Sequence, residues 1–380
     1  MAAEEKFVQI IVSCSVFRRE EKTLRRIGKV KYELPMINSW VIEVPENSVK
    51  NIKLLEGIEK VEIDTHIAAQ MNSARNTVNA SWAHQNGITG KNIGIAVLDT
   101  GVYPHKDFIY RRDRIVAFKD FVNDKDIPYD DNGHGTHVAG IFGGDGSASG
   151  GKYCGIAPNC NIIGVKVLDH SGNGNISDLL AGLQWVINNK EKYNIRVVNI
   201  SVGRVDENKE GEESALVKGV DATWNSGLVV VVAAGNNGPA RMSVTTPGIS
   251  RRIITVGASD DDRQVNIRGN KKVNYSGRGP TINLIQKPDV IAPGSNVVSC
   301  MTDAKFYGKR RNPMRDTYTI KSGTSMSTPI VSGAVALLLE KYPDLTNKDV
   351  KIKLKDSSID VGFVKEKQGW GLIDIKELLS

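Results

Sequence analysis

The sequence predicts a large α/β domain, a mostly parallel sheet with helices on both faces, preceded by a small α+β domain. Three observations carry this reading. From about residue 90, short apolar runs alternate with helix-periodic stretches, the pattern of strands buried on both faces. Residues 6 to 66 instead alternate strand-like and helix-like segments on the scale of a small sandwich. A chain of 380 residues with 40% apolar content is long enough for one large core and a second small one. The two domains are expected over residues 1–67 and 68–380.

In the first domain, the apolar run Phe7 to Val12 reads as a strand and the charged stretch Phe17 to Ile27 as a helix. Strands follow at Lys29 to Leu34 and Trp40 to Val44, then a helix at Ser48 to Glu56 and a strand at Lys60 to Ile63. This βαββαβ order suits helices on one face of an antiparallel sheet. In the second domain, strands are expected at Ile93 to Leu98, Ile162 to Val167, Val197 to Ser201, Leu228 to Ala233 and Ile253 to Val256. Helices are expected at Val138 to Phe142, Ile176 to Asn188 and Ser214 to Ser226, with a longer apolar one running to about Tyr342, where Pro343 stops it. Strands and helices in this succession imply right-handed parallel crossovers. Functional residues in such sheets gather at the carboxyl ends of the strands, and Asp99 and Asn236 both follow an apolar run.

Composition excludes several classes. Apolar stretches such as Leu228 to Ala234 and Ala334 to Leu339 fall far short of the ~20 residues a membrane span needs. The N-terminal stretch carries Glu4 and Glu5 where a secretory signal carries basic residues, so a cytoplasmic location is expected. The formal net charge of +7 permits acidic partners without requiring them. The basic cluster Lys305 to Arg315 lacks any nucleic-acid-binding motif and reads as a solvated loop. Four cysteines are too few for a disulfide scaffold, so free, mostly buried thiols are expected, with a Cys154 to Cys160 bridge as the alternative.

Three glycine-rich segments carry the chemistry: Val97 to Gly101 (VLDTG), Asn132 to Gly140 (NGHGTHVAG) and Ser322 to Pro329 (SGTSMSTP). They supply Asp99, His134 and Ser325, in that order. A serine hydroxyl is a poor nucleophile at neutral pH and needs a base within reach, itself held in one tautomer by a third group. Asp99 would orient the imidazole, His134 would act as base and then acid, and Ser325 would attack from a helix N-terminus, where the dipole favours a developing negative charge. His137 competes with His134 and shares its side of the helix, but no Glu or Cys set completes a metal site there.

With these flanking residues in this chain order, the sequence resembles the subtilisin-like serine proteases from about Ala68 to the C-terminus. The resemblance implies a serine endopeptidase acting on protein or peptide substrates through an acyl-enzyme. It makes His134 the base and His137 a buried packing residue. It adds the side chain of Asn236 as an oxyanion donor beside the Ser325 amide, with Asn237 as the alternative. It places extended substrate along Ser201, Val202 and Gly203, with Ala233, Ala234 and Gly235 as the facing wall and Thr245 near the base of the pocket for the residue before the cleaved bond (P1). Thr245 stands where the family often has Gly, and no acid lies between Asn236 and Ser250. Small or medium apolar P1 residues are therefore expected, with no support for Lys or Arg.

The first domain resembles the ferredoxin-like propeptide of subtilases. It is then an intramolecular inhibitor and folding aid, removed by self-cleavage near Ile67 to Gln70; the alternative is a permanent N-terminal domain. No cofactor is required. A structural calcium ion is a weak alternative, because the stretch Gly143 to Cys154 offers one carboxylate where calcium takes six to eight oxygens. The loop Arg204 to Glu213 and the segment Lys305 to Arg315 look like insertions that could rim the cleft. A non-catalytic binding protein on the same fold and a small-ester hydrolase are the rival classes.

Overall fold

The computed structural model describes residues 7–63, 71–204, 211–267, 269–302 and 317–380, in two units, Met1–Ala68 and Ala69–Ser380. The join, the expected self-cleavage region and the basic cluster Lys305 to Arg315 lie outside the described residues, as does most of the loop after Arg204.

In the first unit, period-two alternation buries Ile10, Val12 and Cys14 of β1 (Phe7–Cys14) on one face. The chain continues through α1 (Glu21–Ile27), β2 (Lys29–Leu34), β3 (Ser39–Pro45), α2 (Val49–Ile52) and β4 (Ile58–Ile63). The strands pair antiparallel in the order β2-β3-β1-β4. Leu24 and Ile52 close the core over Trp40, Ile42 and Val44, and Phe17 stacks on Trp40 at 4.7 Å between ring centroids. The helix expected over Ser48 to Glu56 shrinks to a short 3-10 turn followed by α2. Leu54 faces solvent, and without packing so short a helix does not propagate.

The second unit begins with α3 (Met71–Thr77) and α4 (Ala80–Gln85). It proceeds through β5 (Gly94–Asp99), α5 (Lys106–Ile109), β6 (Ile115–Asp120), α6 (His134–Gly143), β7 (Asn161–Lys166), α7 (Ile176–Asn189), β8 (Ile195–Ile200), α8 (Ala215–Asn225), β9 (Val229–Ala233) and β10 (Ile254–Ala258). A hairpin of β11 (Val265–Ile267) and β12 (Asn270–Lys272) precedes β13 (Val290–Ala292), and β14 (Val297–Cys300) pairs with β15 (Tyr318–Lys321). The helices α9 (Thr324–Lys341), α10 (Asn347–Ser357), α11 (Lys365–Gln368) and α12 (Ile375–Leu379) close the chain. Seven strands form one sheet, ordered β13-β10-β9-β8-β5-β7-β6 and parallel throughout.

The five expected strands are its centre, and β6 and β13 extend it. Neither addition was marked in the sequence: β6 is only partly buried and ends on Lys119 and Asp120, and β13 is three residues long. The helix α9 packs on β8, β9 and β10. Every residue from Thr324 to Leu339 on it is buried except Ser325. All four cysteines are free thiols, three of them buried and Cys154 half-buried.

Candidate active site

Asp99 is the last residue of β5 and is fully buried. Its Oδ1 accepts the Thr100 N–H at 2.8 Å and stands 2.7 Å from Nδ1 of His134. The carboxylate therefore takes the Nδ1–H and leaves Nε2 as the imidazole's acceptor. His134 opens α6 with its side chain 22% exposed, so the ring reaches solvent while its inner edge is tied down. Close approach requires glycine here: a Cβ on Gly135 would lie 2.1 Å from the Gly101 carbonyl oxygen.

Asp130, which the motif reading did not weigh, organises this corner. Its Oδ1 accepts from Thr100 Oγ1 and from the Asn132 and Gly133 N–H groups. Its Oδ2 accepts the N–H and hydroxyl of Thr136. One buried carboxylate thus satisfies two of the backbone donors at the start of α6, while Asn132 Oδ1 and Thr100 Oγ1 take the His134 and Gly135 N–H groups, and it holds the loop that presents His134. An acid just before the Asn132-Gly133-His134 turn is the signal that could have found it. Lys166, fully buried at the end of β7, braces the same corner by donating to the Thr100 and Leu168 carbonyls and to Asp131, at 2.7, 2.8 and 2.7 Å.

Ser325 is the second residue of α9. The left-handed φ of +136° at Gly323, where a Cβ would also lie 3.1 Å from Asn236 Nδ2, confines that N-cap to glycine. Pro329 lacks the N–H that would bond the Ser325 carbonyl, and the Ser201 hydroxyl donates to that oxygen instead, at 3.1 Å. In return, Ser325 Oγ donates to the Ser201 carbonyl at 2.8 Å. Asn236 Oδ1 accepts from the N–H and hydroxyl of Thr324 at 3.0 and 3.2 Å, and its backbone carbonyl accepts from Lys272 Nζ at 2.8 Å. With its oxygen so occupied, the Asn236 amide turns its NH2 away from Thr324.

His134, Ser325 and Asn236 face one cleft of about 620 Å³, which Ser201, Val202, Gly203, Ala233, Gly235 and Thr245 also line. Ala234 lies behind this lining: its side chain is buried, and its carbonyl accepts the Thr245 N–H. Asn237, the alternative to Asn236, lines the cleft too. Thr245 wedges between two glycines, since a Cβ on Gly203 or Gly235 would lie 2.7 or 2.5 Å from its Oγ1. His137 is fully buried, with Nε2 3.1 and 3.2 Å from the Val297 and Thr319 carbonyls, so its N–H ties α6 to β14 and β15. Burial pushes its pKa well below the ordinary 6.5, and the charges of Lys321 and His134 act in the same direction. Among the described residues, no helix is long and apolar enough to cross a membrane.

A nucleophile-bearing helix, an imidazole on a buried carboxylate and an anchored amide around one cleft are the equipment of a serine hydrolase. The subtilase family model matches residues 90–371. Serine protease AprX of Bacillus subtilis (strain 168) is 39% identical over 343 residues, covering 87% of this chain and 76% of that protein. Subtilisin E of the same organism is 31% identical over 378 residues, covering 97% and 88%. The crystal structure of a cold adapted subtilisin-like serine proteinase superposes with a TM-score of 0.57 at 30% identity, covering 76% of this chain and 88% of that one. The chain belongs to the subtilase family and is a subtilisin-like serine endopeptidase.

Proposed function

We propose that the endopeptidase works through Asp99, His134 and Ser325, and that it removes its own N-terminal unit. Ser325 Oγ attacks the carbonyl carbon of the peptide while His134 Nε2 takes its proton. Asp99 holds the Nδ1–H tautomer and stabilises the imidazolium. The Ser325 N–H and Asn236 Nδ2 receive the oxyanion. Collapse expels the amine, which His134 protonates, and water then repeats the sequence on the acyl-enzyme. The proton, the nucleophile and the oxyanion donors all come from the chain, so this route calls on no cofactor. The observation that carries the reading is the 2.7 Å contact of Asp99 with His134 in the same cleft as Ser325. The Ser325 hydroxyl rests on the Ser201 carbonyl, and rotation about Cα–Cβ redirects it to Nε2 as substrate enters.

The Thr245 wedge supports a shallow P1 pocket and a preference for small or medium apolar residues there. The four-stranded α+β unit ahead of the catalytic unit supports its reading as a propeptide that inhibits until it is cut away.

The test is the intact mass of wild-type protein and of Ser325→Ala after treatment with a fluorophosphonate probe. A probe adduct on a shortened wild-type chain, beside an unlabelled full-length variant, is expected. A labelled wild-type chain of full length would overturn self-processing and leave a permanent N-terminal domain. A wild-type chain that neither labels nor cleaves peptides would overturn the triad reading.

A further inference from the structure

Among the described residues, the charge of the cleft is unbalanced. Among its described lining residues are two lysines, Lys272 and Lys321, and no carboxylate. Lys272 is committed to the Asn236 carbonyl. Lys321 is different. It ends β15, paired with Val297 of β14, so its backbone is fixed in extended form along the cleft. Its side chain is half-buried, and among the described residues no acceptor or carboxylate lies within bonding distance of its ammonium. The acids that act on it electrostatically are Asp130 and Asp99, both fully buried behind His134. The oxygens of Asp130 already take five donors, and Asp99 holds His134 and the Thr100 N–H on Oδ1; its Oδ2 is buried without a hydrogen bond, and Lys321 reaches neither acid. Burial lowers the pKa of Lys321 by more than these acids raise it.

Its position tells which half of a substrate it meets. His137 ties β15, through the Thr319 carbonyl, to α6, the helix that His134 opens, so Lys321 enters the cleft from the imidazole side. In the proposed reaction, His134 protonates the amine that leaves. The side chain nearest Lys321 therefore belongs to the residue just beyond the cleaved bond, the P1′ residue.

We infer that Lys321 is a specificity-determining residue that selects a carboxylate side chain, Asp or Glu, at P1′. The inference rests on the triad reading above. An acidic P1′ side chain supplies a counter-charge that none of the described residues provides, through a charge-assisted hydrogen bond in a partly desolvated wall, where such a pair outweighs a surface ion pair.

The experiment uses internally quenched peptides identical except for Glu, Gln or Lys at P1′, with a fourth peptide carrying Glu two residues before the cleaved bond. For the wild-type enzyme, kcat/KM for P1′ Glu is expected to exceed that for Gln by about tenfold, with Lys below Gln. The ratio should fall as salt is raised, and the misplaced Glu should bring no gain. Lys321→Met should bring the Glu to Gln ratio near one, and Lys321→Glu should invert the order in favour of P1′ Lys. Each readout is a ratio within one enzyme and is independent of how much of a variant folds. A wild-type enzyme that labels with fluorophosphonate yet cleaves Glu and Gln peptides equally would overturn this inference alone. If Ser325 neither labels nor turns over any peptide, the triad reading fails and this inference with it.

Discussion

The two walls of the cleft are built on different physics. The wall of Ser201 to Gly203 and Ala233 to Asn236 continues β8 and β9, strands from the centre of the parallel sheet, and carries no charged side chain. Its shape comes from the approach of Gly203 and Gly235 to Thr245 and from backbone groups along an extended segment. The facing wall is β15, one strand of a two-stranded sheet, with the half-exposed Ile320 and with Lys321, unpaired among the described residues, on the cleft. His137 holds that hairpin to α6 from behind through two carbonyls. A wall anchored in the main sheet can discriminate by shape because it cannot yield. A wall on a small hairpin adds charge and depends on a buried histidine for its position.

Removing a donor from the first wall should have the largest effect on this contrast. Asn236→Ala is expected to lower kcat by about 10²–10³-fold with little change in KM, a magnitude taken from subtilisin rather than from this geometry. Steady-state kinetics on one good peptide checks it. A loss in KM alone would mean that the amide binds ground state and transition state alike.

Thr245→Gly tests whether the first wall discriminates by shape. Opening the wedge between Gly203 and Gly235 should raise kcat/KM for a Phe at P1 relative to Ala by roughly tenfold, the scale for apolar volume in a pocket. An unchanged P1 profile across a peptide panel would remove Thr245 from the pocket floor and break the contrast.

The smallest effect is on the second wall and is read as stability. The folded-state pKa of His137 lies below its ordinary 6.5, as do those of His84 and His105, all through burial. Between the depressed value and 6.5 the unfolded chain binds more protons than the folded one. The stability is thus present above pH 6.5 and is lost as pH falls through that value, with a slope of about 1.4 kcal/mol per pH unit for each proton. Denaturant midpoints of the Ser325→Ala protein, which does not digest itself, should fall between pH 7 and pH 5. His137→Gln should flatten that fall. An equal slope in the two proteins would show that His137 is not the titrating brace.

Pattern along the chain carried a large part of this molecule. The central strands β5, β7, β8, β9 and β10 were legible because both their faces are buried, which forces mainly apolar runs on the sequence, with Asp99, Lys166, Asn199 and Thr255 as buried polar exceptions. Asp99, His134 and Ser325 were legible for a related reason: each needs glycine neighbours to let backbone pass or turn, as at Gly135 and Gly323, and such neighbours leave a local mark. Edge strand β6 left none, because only partial burial is asked of it: Val116 is exposed and Lys119 half-exposed, and Asp120 is buried only by finding donors in the loop that follows. The short α2 was overread because helix periodicity says nothing of whether Leu54 finds a core.

Folding alone decided the rest, and in each case through a long-range contact. Asp130 and Lys166 are ordinary charged residues until the ends of β5 and β7 are brought beside the start of α6, where burial obliges each charge to find partners. Whether Ser201 would stand against Ser325, 124 positions on, depended on the packing of α9 across β8. Local pattern records what a residue does to its own backbone. The partners left within reach of Lys321, and the side of the cleft its charge faces, follow from desolvation and distance across the assembled domain.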